Sequence, residues 1–370
     1  MSSLWIQLRR DFANVGRSVY LDHAAGGPVP RPVLAELERY QRELAREADF
    51  AWPRWIRRRE EVRRDVARFI GASPEEVTFT HSTSEGMNYI AELLVNQGRV
   101  LTNADEFPSS TLPWIWRKAK MTYQKSEDNV ISLRKLSSLI APSTKTIVSS
   151  FVQYATGFRQ DMVKLGKVKR GRFLVVNATQ GCGAFPINVK KWNADFLCTN
   201  SYKWMLAGYG GGILYIRKKW LARFRPSFIS WRSMKEPDRM DNRRIDMLKT
   251  AARYEWGCPS FASIFAVGAA VRYFSSIGIE KIEKRILALT DFAIEELERS
   301  SFEVTSPRAP EHRSGIVVFK VKEAGRLFKR LLGDKIYVSP RGEGMRIAPH
   351  FYNTFEEIEI LIKSLKKYRK

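Results

Sequence analysis

Short apolar runs alternate with amphipathic stretches through the middle of the chain. Residues 77–80, 99–102, 146–151, 173–176, 196–199 and 212–216 are runs of strand length, rich in Val, Ile, Leu, Phe and Thr. Helical patterns lie between several of them, such as 84–95 directly after the first run. Strands that alternate with helices predict a mostly parallel sheet covered on both faces. In such sheets ligands gather at the carboxyl ends of the strands. From Phe261 onward the character changes. A long helical region runs from 262 to 300 with a break near Gly278. A second strand set follows at 302–305, 316–321, 336–339 and 345–348. The last helix opens on Thr354 with Glu357 three residues later, a capping box. Phe355, Ile358, Leu361, Ile362 and Leu365 form its buried stripe. The pattern predicts an α/β chain in three parts. These are an N-terminal segment 1–70 beside the small domain, a large α/β domain 71–260 and a smaller α+β domain 261–370.

Composition narrows the class. The chain has 370 residues, 44% of them hydrophobic, which is ample for a sizeable core. No uninterrupted run of about 18 apolar residues occurs, so a membrane span is not expected. The first residues reach Arg9, Arg10 and Asp11 before any long apolar run, unlike a signal peptide. Cys182, Cys198 and Cys258 are few, odd in number and in no CxxC spacing. That argues against a disulfide framework and a zinc site, and makes a reducing cytoplasm the default.

The net charge is +24, from 63 Lys and Arg against 39 Asp and Glu, a sign that attracts anions. The densest run is Arg54, Arg57, Arg58, Arg59, Arg63, Arg64 and Arg68. It shares a helix with Val62, Val66, Phe69 and Ile70, which mark the buried face, and Glu60, Glu61 and Asp65 interleave. It reads as a solvated basic face. No helix-turn-helix, RNP or zinc-finger signature accompanies it, so nucleic acid is not the expected partner.

Three strand ends carry candidate chemistry. After the run 196–199 come Asn200-Ser201-Tyr202-Lys203-Trp204, then Gly208, Gly210, Gly211 and Gly212. A lysine in a partly desolvated turn has a lowered pKa and can attack a carbonyl. The run 173–176 ends in Asn177-Ala178-Thr179-Gln180, at the same sheet edge. The run 77–80 ends in His81-Ser82-Thr83-Ser84-Glu85-Gly86 before a helix. Such a loop is an anion site, because free backbone N–H groups, hydroxyls and the helix dipole converge on it. Taken alone, ordinary N-capping is the commoner use of Ser-Thr-Ser.

Together these segments resemble the class V aminotransferase family of fold-type I pyridoxal-phosphate enzymes, in its isopenicillin N epimerase-like and cysteine desulfurase-like branch. The likeness extends from Val19 to about Leu365. Tyr20-Leu21-Asp22-His23-Ala24-Ala25 is similar to the family's opening strand and substrate-side loop. Asp105-Glu106-Phe107-Pro108 is similar to the segment that lays an aromatic ring on the cofactor. Val152-Gln153-Tyr154 is similar to the loop near the ring hydroxyl, Ser201-Tyr202-Lys203-Trp204 to the Schiff-base signature, and Gly257-Cys258-Pro259 to a stretch reaching the partner subunit's phosphate. The resemblance implies a fold-type I transferase using pyridoxal 5'-phosphate (PLP), cytoplasmic and homodimeric. Lys203 would form the Schiff base and act as general base. Thr83 and Ser84 would hold the phosphate, with Asn200 and Cys258 beside it. Phe107 would stack on the ring, Gln153 or Tyr154 would meet its hydroxyl, and Asn177, Gln180 and Tyr202 would complete the cofactor contacts. Ala25 and Arg346 would face an amino-acid substrate. By itself Arg346 reads as a surface arginine on a strand.

The chain departs from the family in three places. The family places Asp where this chain has Asn177, and a neutral amide supports a protonated ring nitrogen poorly. Asn200 and Cys258 stand where hydroxyl residues are usual. The desulfurase branch needs a cysteine on a mobile loop, and Ser339 to Ile347 contains none. The expectation is therefore an aminotransferase, epimerase or lyase ahead of a cysteine desulfurase. A catalytically weakened relative with a binding or regulatory role is the alternative from another class.

Overall fold

The computed structural model describes residues 3–369. Its centre is a seven-stranded sheet. The order is Val77–Thr80, Gly212–Ile216, Phe196–Asn200, Phe173–Asn177, Thr144–Ser150, Arg99–Asn103 and Met121–Gln124. Gly212–Ile216 runs antiparallel to both neighbours and every other pairing is parallel. The carboxyl ends of the parallel strands therefore share one edge with the entry to Gly212–Ile216. Six strands coincide with apolar runs, which suits strands buried on both faces. Met121–Gln124 carries no such run, because it pairs on one side only and is largely unburied.

Two glycines let loops approach that edge. A Cβ at Gly212 would lie 2.6 Å from Thr80 Oγ1, so a side chain there would push apart the Thr80 and Asn200 strand ends. A Cβ at Gly27 would lie 2.8 Å from the Lys203 carbonyl oxygen. Gly27 N–H instead donates to the Tyr202 carbonyl at 2.8 Å, and this docks the N-terminal loop on the Lys203 turn.

The helix Thr83–Leu94 packs on one face of the sheet. The helices Trp52–Ile70 and Phe261–Ile277 contribute to the core on the other face. Phe261–Ile277 is apolar nearly all round because it is enclosed by Arg31–Glu47, Trp52–Ile70 and the sheet layer. It thus belongs to the larger core. The second core gathers Leu21 with residues of Ile279–Arg299, Val317–Lys320, Gly344–Ile347 and Phe355–Tyr368. Residues 302–305 form no strand, only one bridge from Val304 to Phe319. The run 336–339 is divided. Ile336–Tyr337 pairs in parallel with Val19–Tyr20, and Ser339–Arg341 pairs with Gly344–Ile347. Both hydrogen bonds of the capping box form, Glu357 N–H to Thr354 Oγ1 at 3.2 Å and Thr354 N–H to Glu357 Oε2 at 3.1 Å.

The arginine run is not one solvated face. Arg54, Arg57, Arg64 and Arg68 are exposed, but Arg58, Arg59 and Arg63 are buried. Arg63 meets Glu255 at 2.7 Å and Glu60 at 2.8 Å, Arg59 meets Glu255 at 3.3 Å, and Arg58 meets Glu36. Buried guanidinium groups need such partners. Glu60 comes from the same helix, but Glu36 and Glu255 come from other segments and turn Arg58, Arg59 and Arg63 inward. Among the described residues, no single helix is long and apolar enough to cross a membrane.

Two buried histidines anchor the junction of the two cores. Phe351 N–H donates to His350 Nδ1 at 2.9 Å, so Nε2 carries the proton and donates to the Trp204 carbonyl at 3.0 Å. His23 Nδ1–H donates to the Ala348 carbonyl at 2.8 Å, and its Nε2 accepts from Tyr352 at 3.0 Å. Burial pushes His350 down to about 4, and burial together with His350 pushes His23 well below its ordinary 6.5. Both folded-state values are lowered, so their contribution to stability is complete above the unfolded value and is lost as pH falls toward the folded one. Between pH 7.5 and pH 5 the cost should be about 2 kcal/mol per histidine. Urea unfolding at the two pH values measures it, and a flat profile would show that the pair is not held neutral.

Candidate functional site

The shared strand edge opens into a small pocket of about 70 Å³. Its walls include Ser82, Thr83 and Ser84 from the start of one helix, Phe107, Tyr154, and Asn177, Thr179 and Gln180 after a strand end. Asn200, Tyr202 and Lys203 complete it. Most of the candidate residues therefore meet, from segments more than a hundred positions apart.

Lys203 lies in the turn after Phe196–Asn200 and is 8% exposed. The turn is pinned on several sides. His350 holds the Trp204 carbonyl, Trp204 Nε1 donates to Gln180 Oε1 at 2.8 Å, and Gln180 Nε2 donates to the Ala24 carbonyl at 3.0 Å. Burial, then the charges of Arg346 and Arg341, lower the Lys203 amine to about 8, with Asp22 opposing them. Desolvation and like charge both favour the neutral amine, which is the nucleophilic form. Its Nζ lies 5.6 Å from the centre of the Phe107 ring and 5.9 Å from that of Tyr202. Phe107 is exposed, with its ring edge-on to Tyr154 at 5.0 Å. It offers a flat apolar surface over the pocket.

The opposite wall suits an anion. Ser82 caps the helix by accepting from Glu85 N–H at 3.2 Å, and Thr83 Oγ1 bonds Thr179 Oγ1 at 2.7 Å. Ser84 is exposed at the first turn. Free N–H groups and the helix dipole favour negative charge here. Asn200 Oδ1 is buried with no hydrogen-bond partner, an open polar position in the wall. Rotation of that amide would present its NH2 instead.

Asn177 is held in one orientation. Thr179 N–H donates to its Oδ1 at 3.0 Å, and its Nδ2 donates to Ser110 Oγ at 2.9 Å. Among the described residues, no carboxylate lines the pocket.

Other candidates stand outside it. Gln153 turns away from the pocket, and its Nε2 donates to Glu106 Oε1 at 2.9 Å. Glu106 draws it there as a buried carboxylate that also accepts from Asn103 at 2.9 Å, from Ser150 N–H at 2.6 Å and from Ser150 Oγ at 2.5 Å. Arg346 is 1% exposed and makes contacts within the protein. Its Nη1 donates to the Tyr154 carbonyl at 3.1 Å and its Nη2 to Asp22 Oδ1 at 3.2 Å. A buried guanidinium requires a counter-charge, and here Asp22 is that charge. Ala25 is exposed in the turn after Asp22. Cys258 lies in a separate small cavity with His81 and Trp256. Cys182 and Cys198 are buried, and burial pushes the Cys182 thiol up to about 12 and the Cys198 thiol up as well.

Sequence reasoning assigned no role to Glu106, Asp22, Ser110, Thr179 or Arg341. Glu106 had a signal of a kind, an acidic residue beside the candidate stacking ring. Arg341 had none.

Comparison with known proteins places this architecture. A family model described as aminotransferase class-V matches residues 19–361. An uncharacterised aminotransferase of Bacillus subtilis (strain 168) is 27% identical, covering 99% of this chain and all of the relative. A probable cysteine desulfurase of Pyrococcus abyssi is 29% identical, covering 85% of this chain and 81% of the relative. The apo structure of a cysteine desulfurase from Thermococcus onnurineus NA1 superimposes with a TM-score of 0.90 at 25% identity, covering 98% of each chain.

Proposed function

The chain belongs to the class V aminotransferase family and is a PLP-dependent enzyme, and from that premise we propose that Lys203 is the residue that tethers the cofactor and moves the substrate proton. The buried Lys203 amine, lowered to about 8 in a pocket with an anion-binding wall, carries this reading. Bound PLP supplies the electron sink that labilises bonds at the α-carbon of an amino acid. The residues fit it. Thr83 and Ser84 offer hydroxyls and helix N–H groups to a phosphate. Phe107 offers a face to an aromatic ring, though it cannot shuttle a proton. Tyr154, Asn177 and Asn200 offer polar contacts along the walls. With its amine half-neutral near pH 8, Lys203 takes a proton from a substrate carbon and returns it.

Within the family we favour an aminotransferase, epimerase or lyase over a cysteine desulfurase. Cys182 and Cys198 are buried and raised in pKa, and the hairpin Ser339–Ile347 carries no cysteine. We also infer a homodimer. Phe228, Ile229, Met240, Ile245 and Trp256 are exposed on the segment leading to Cys258, an apolar surface that a second copy would cover. A reducing cytoplasm suits the free thiol of Cys258. Purified protein should sediment as a dimer and be yellow, with a visible absorbance that borohydride bleaches. A colourless protein that takes up no added PLP would sink the enzyme reading.

A further inference from the structure

We propose that Arg341 receives a second anionic group of the substrate, which makes the substrate an amino acid with an acidic side chain. This rests on the PLP reading of the pocket and adds a substrate class to it.

Strand register places Arg341. Ser339–Arg341 pairs antiparallel with Gly344–Ile347, with Ser339 opposite Arg346, Pro340 opposite Met345 and Arg341 opposite Gly344. Side chains alternate between faces along a strand, and opposed residues share a face. Met345 and Ile347 point into the small-domain core. Ser339, Arg341 and Arg346 therefore share the other face. That face looks toward the pocket, because Arg346 on it contacts Tyr154 and Asp22.

Charge on this face is unbalanced. Three cations, Lys203, Arg341 and Arg346, act on one another there. One carboxylate answers them, and it is already occupied. Asp22 Oδ1 takes Arg346, and Asp22 Oδ2 accepts from the Ser339 hydroxyl. Among the described residues, Arg341 makes one side-chain hydrogen bond, from Nη1 to the Pro340 carbonyl at 2.8 Å. Its Nε is buried with no partner, as is that of Arg346. A third cation without a counterion raises the energy of the empty site. An arriving anion removes that cost.

The cofactor phosphate does not fill this role, since its wall is the helix start at Thr83 and Ser84 on the large sheet. An α-carboxylate that takes the unpartnered Nε of Arg346 shares that guanidinium with Asp22 and leaves Arg341 unanswered. A side-chain carboxylate or sulfinate answers it, and the planar guanidinium fork suits either group.

The test compares shapes that differ only in charge. PLP-loaded protein is titrated with L-aspartate against L-asparagine and L-glutamate against L-glutamine, with the shift of the visible absorbance as the binding signal. At least one acid should bind roughly ten- to a hundredfold more tightly than its amide. Arg341→Gln should erase that ratio, while Arg341→Lys keeps part of it. Equal affinity of acid and amide in the parent protein overturns the inference, and so does an undiminished ratio in Arg341→Gln. A protein that takes up no PLP fails the cofactor reading itself, whereas one that loads PLP and responds to neither acid overturns the inference alone.

Discussion

Lys203→Ala should lower turnover by at least about a thousandfold, because one amine has two tasks and its removal ends both. Among the described residues it is the only lysine lining the pocket. Its environment is specific to it. Burial, Arg346 and Arg341 together hold the amine near 8. A free amine added to the solution meets no such field, so rescue by small amines should be partial at best. Lys203→Arg tests the same point from the other side. It retains a cation of similar reach, but a guanidinium stays protonated and cannot attack a carbonyl. Both variants should lose the visible absorbance that borohydride bleaches. The alanine variant should keep the parent's unfolding free energy within about 1 kcal/mol, since it removes a charge disfavoured by burial and by two neighbouring cations. Retained turnover in Lys203→Ala would show that another group does the chemistry.

Asn177→Asp should accelerate exchange of the substrate α-proton. The substitution preserves shape. A carboxylate at 177 still accepts from Thr179 N–H, and Ser110 reverses its hydroxyl to donate. What changes is charge, in a pocket that no carboxylate otherwise lines. A carboxylate within about 4–6 Å raises the pKa of a ring nitrogen by about 1–3 units. The protonated fraction of the ring, and with it the rate of α-carbon deprotonation, should then rise on the order of a hundredfold. Loss of the α-proton signal in deuterated buffer, followed by NMR, measures the rate. Exchange that is unchanged or slower would mean that Asn177 does not face the ring nitrogen. The parent Asn177 amide carries no charge to hold that proton, so the ring is expected to work as a neutral pyridine in this chain.

Much of the architecture follows from local pattern. A strand buried on both faces needs an apolar run of four to seven residues, and six such runs became six strands of the large sheet. A helix end needs a cap, and Thr354 with Glu357 supplies one where the spacing requires it. A lysine flanked by Tyr202 and Trp204 just before a glycine cluster is unusual for a solvated position. Such signals are legible because the partners lie within one helical turn or one strand. The edge strand Met121–Gln124 escaped the same reading because it is half solvated and follows no apolar rule.

Partnerships across the chain were decided by tertiary structure. Arg346 meets Asp22 from 324 positions away, and Arg63 meets Glu255 from 192. No window of sequence contains both members of either pair. Gln153 faces Glu106 because a buried carboxylate gathers every donor within reach, and that demand exists only once the two loops are adjacent. Arg341 joins the site through strand register, where a shift of one residue would have turned it to the core. Periodicity, capping and turn chemistry are properties of neighbours, so a chain read alone specifies its elements and the turn that holds Lys203. Charge balance is a property of the assembled site. Only the fold could show that Lys203 stands beside Arg341 and Arg346 with Asp22 as their shared carboxylate.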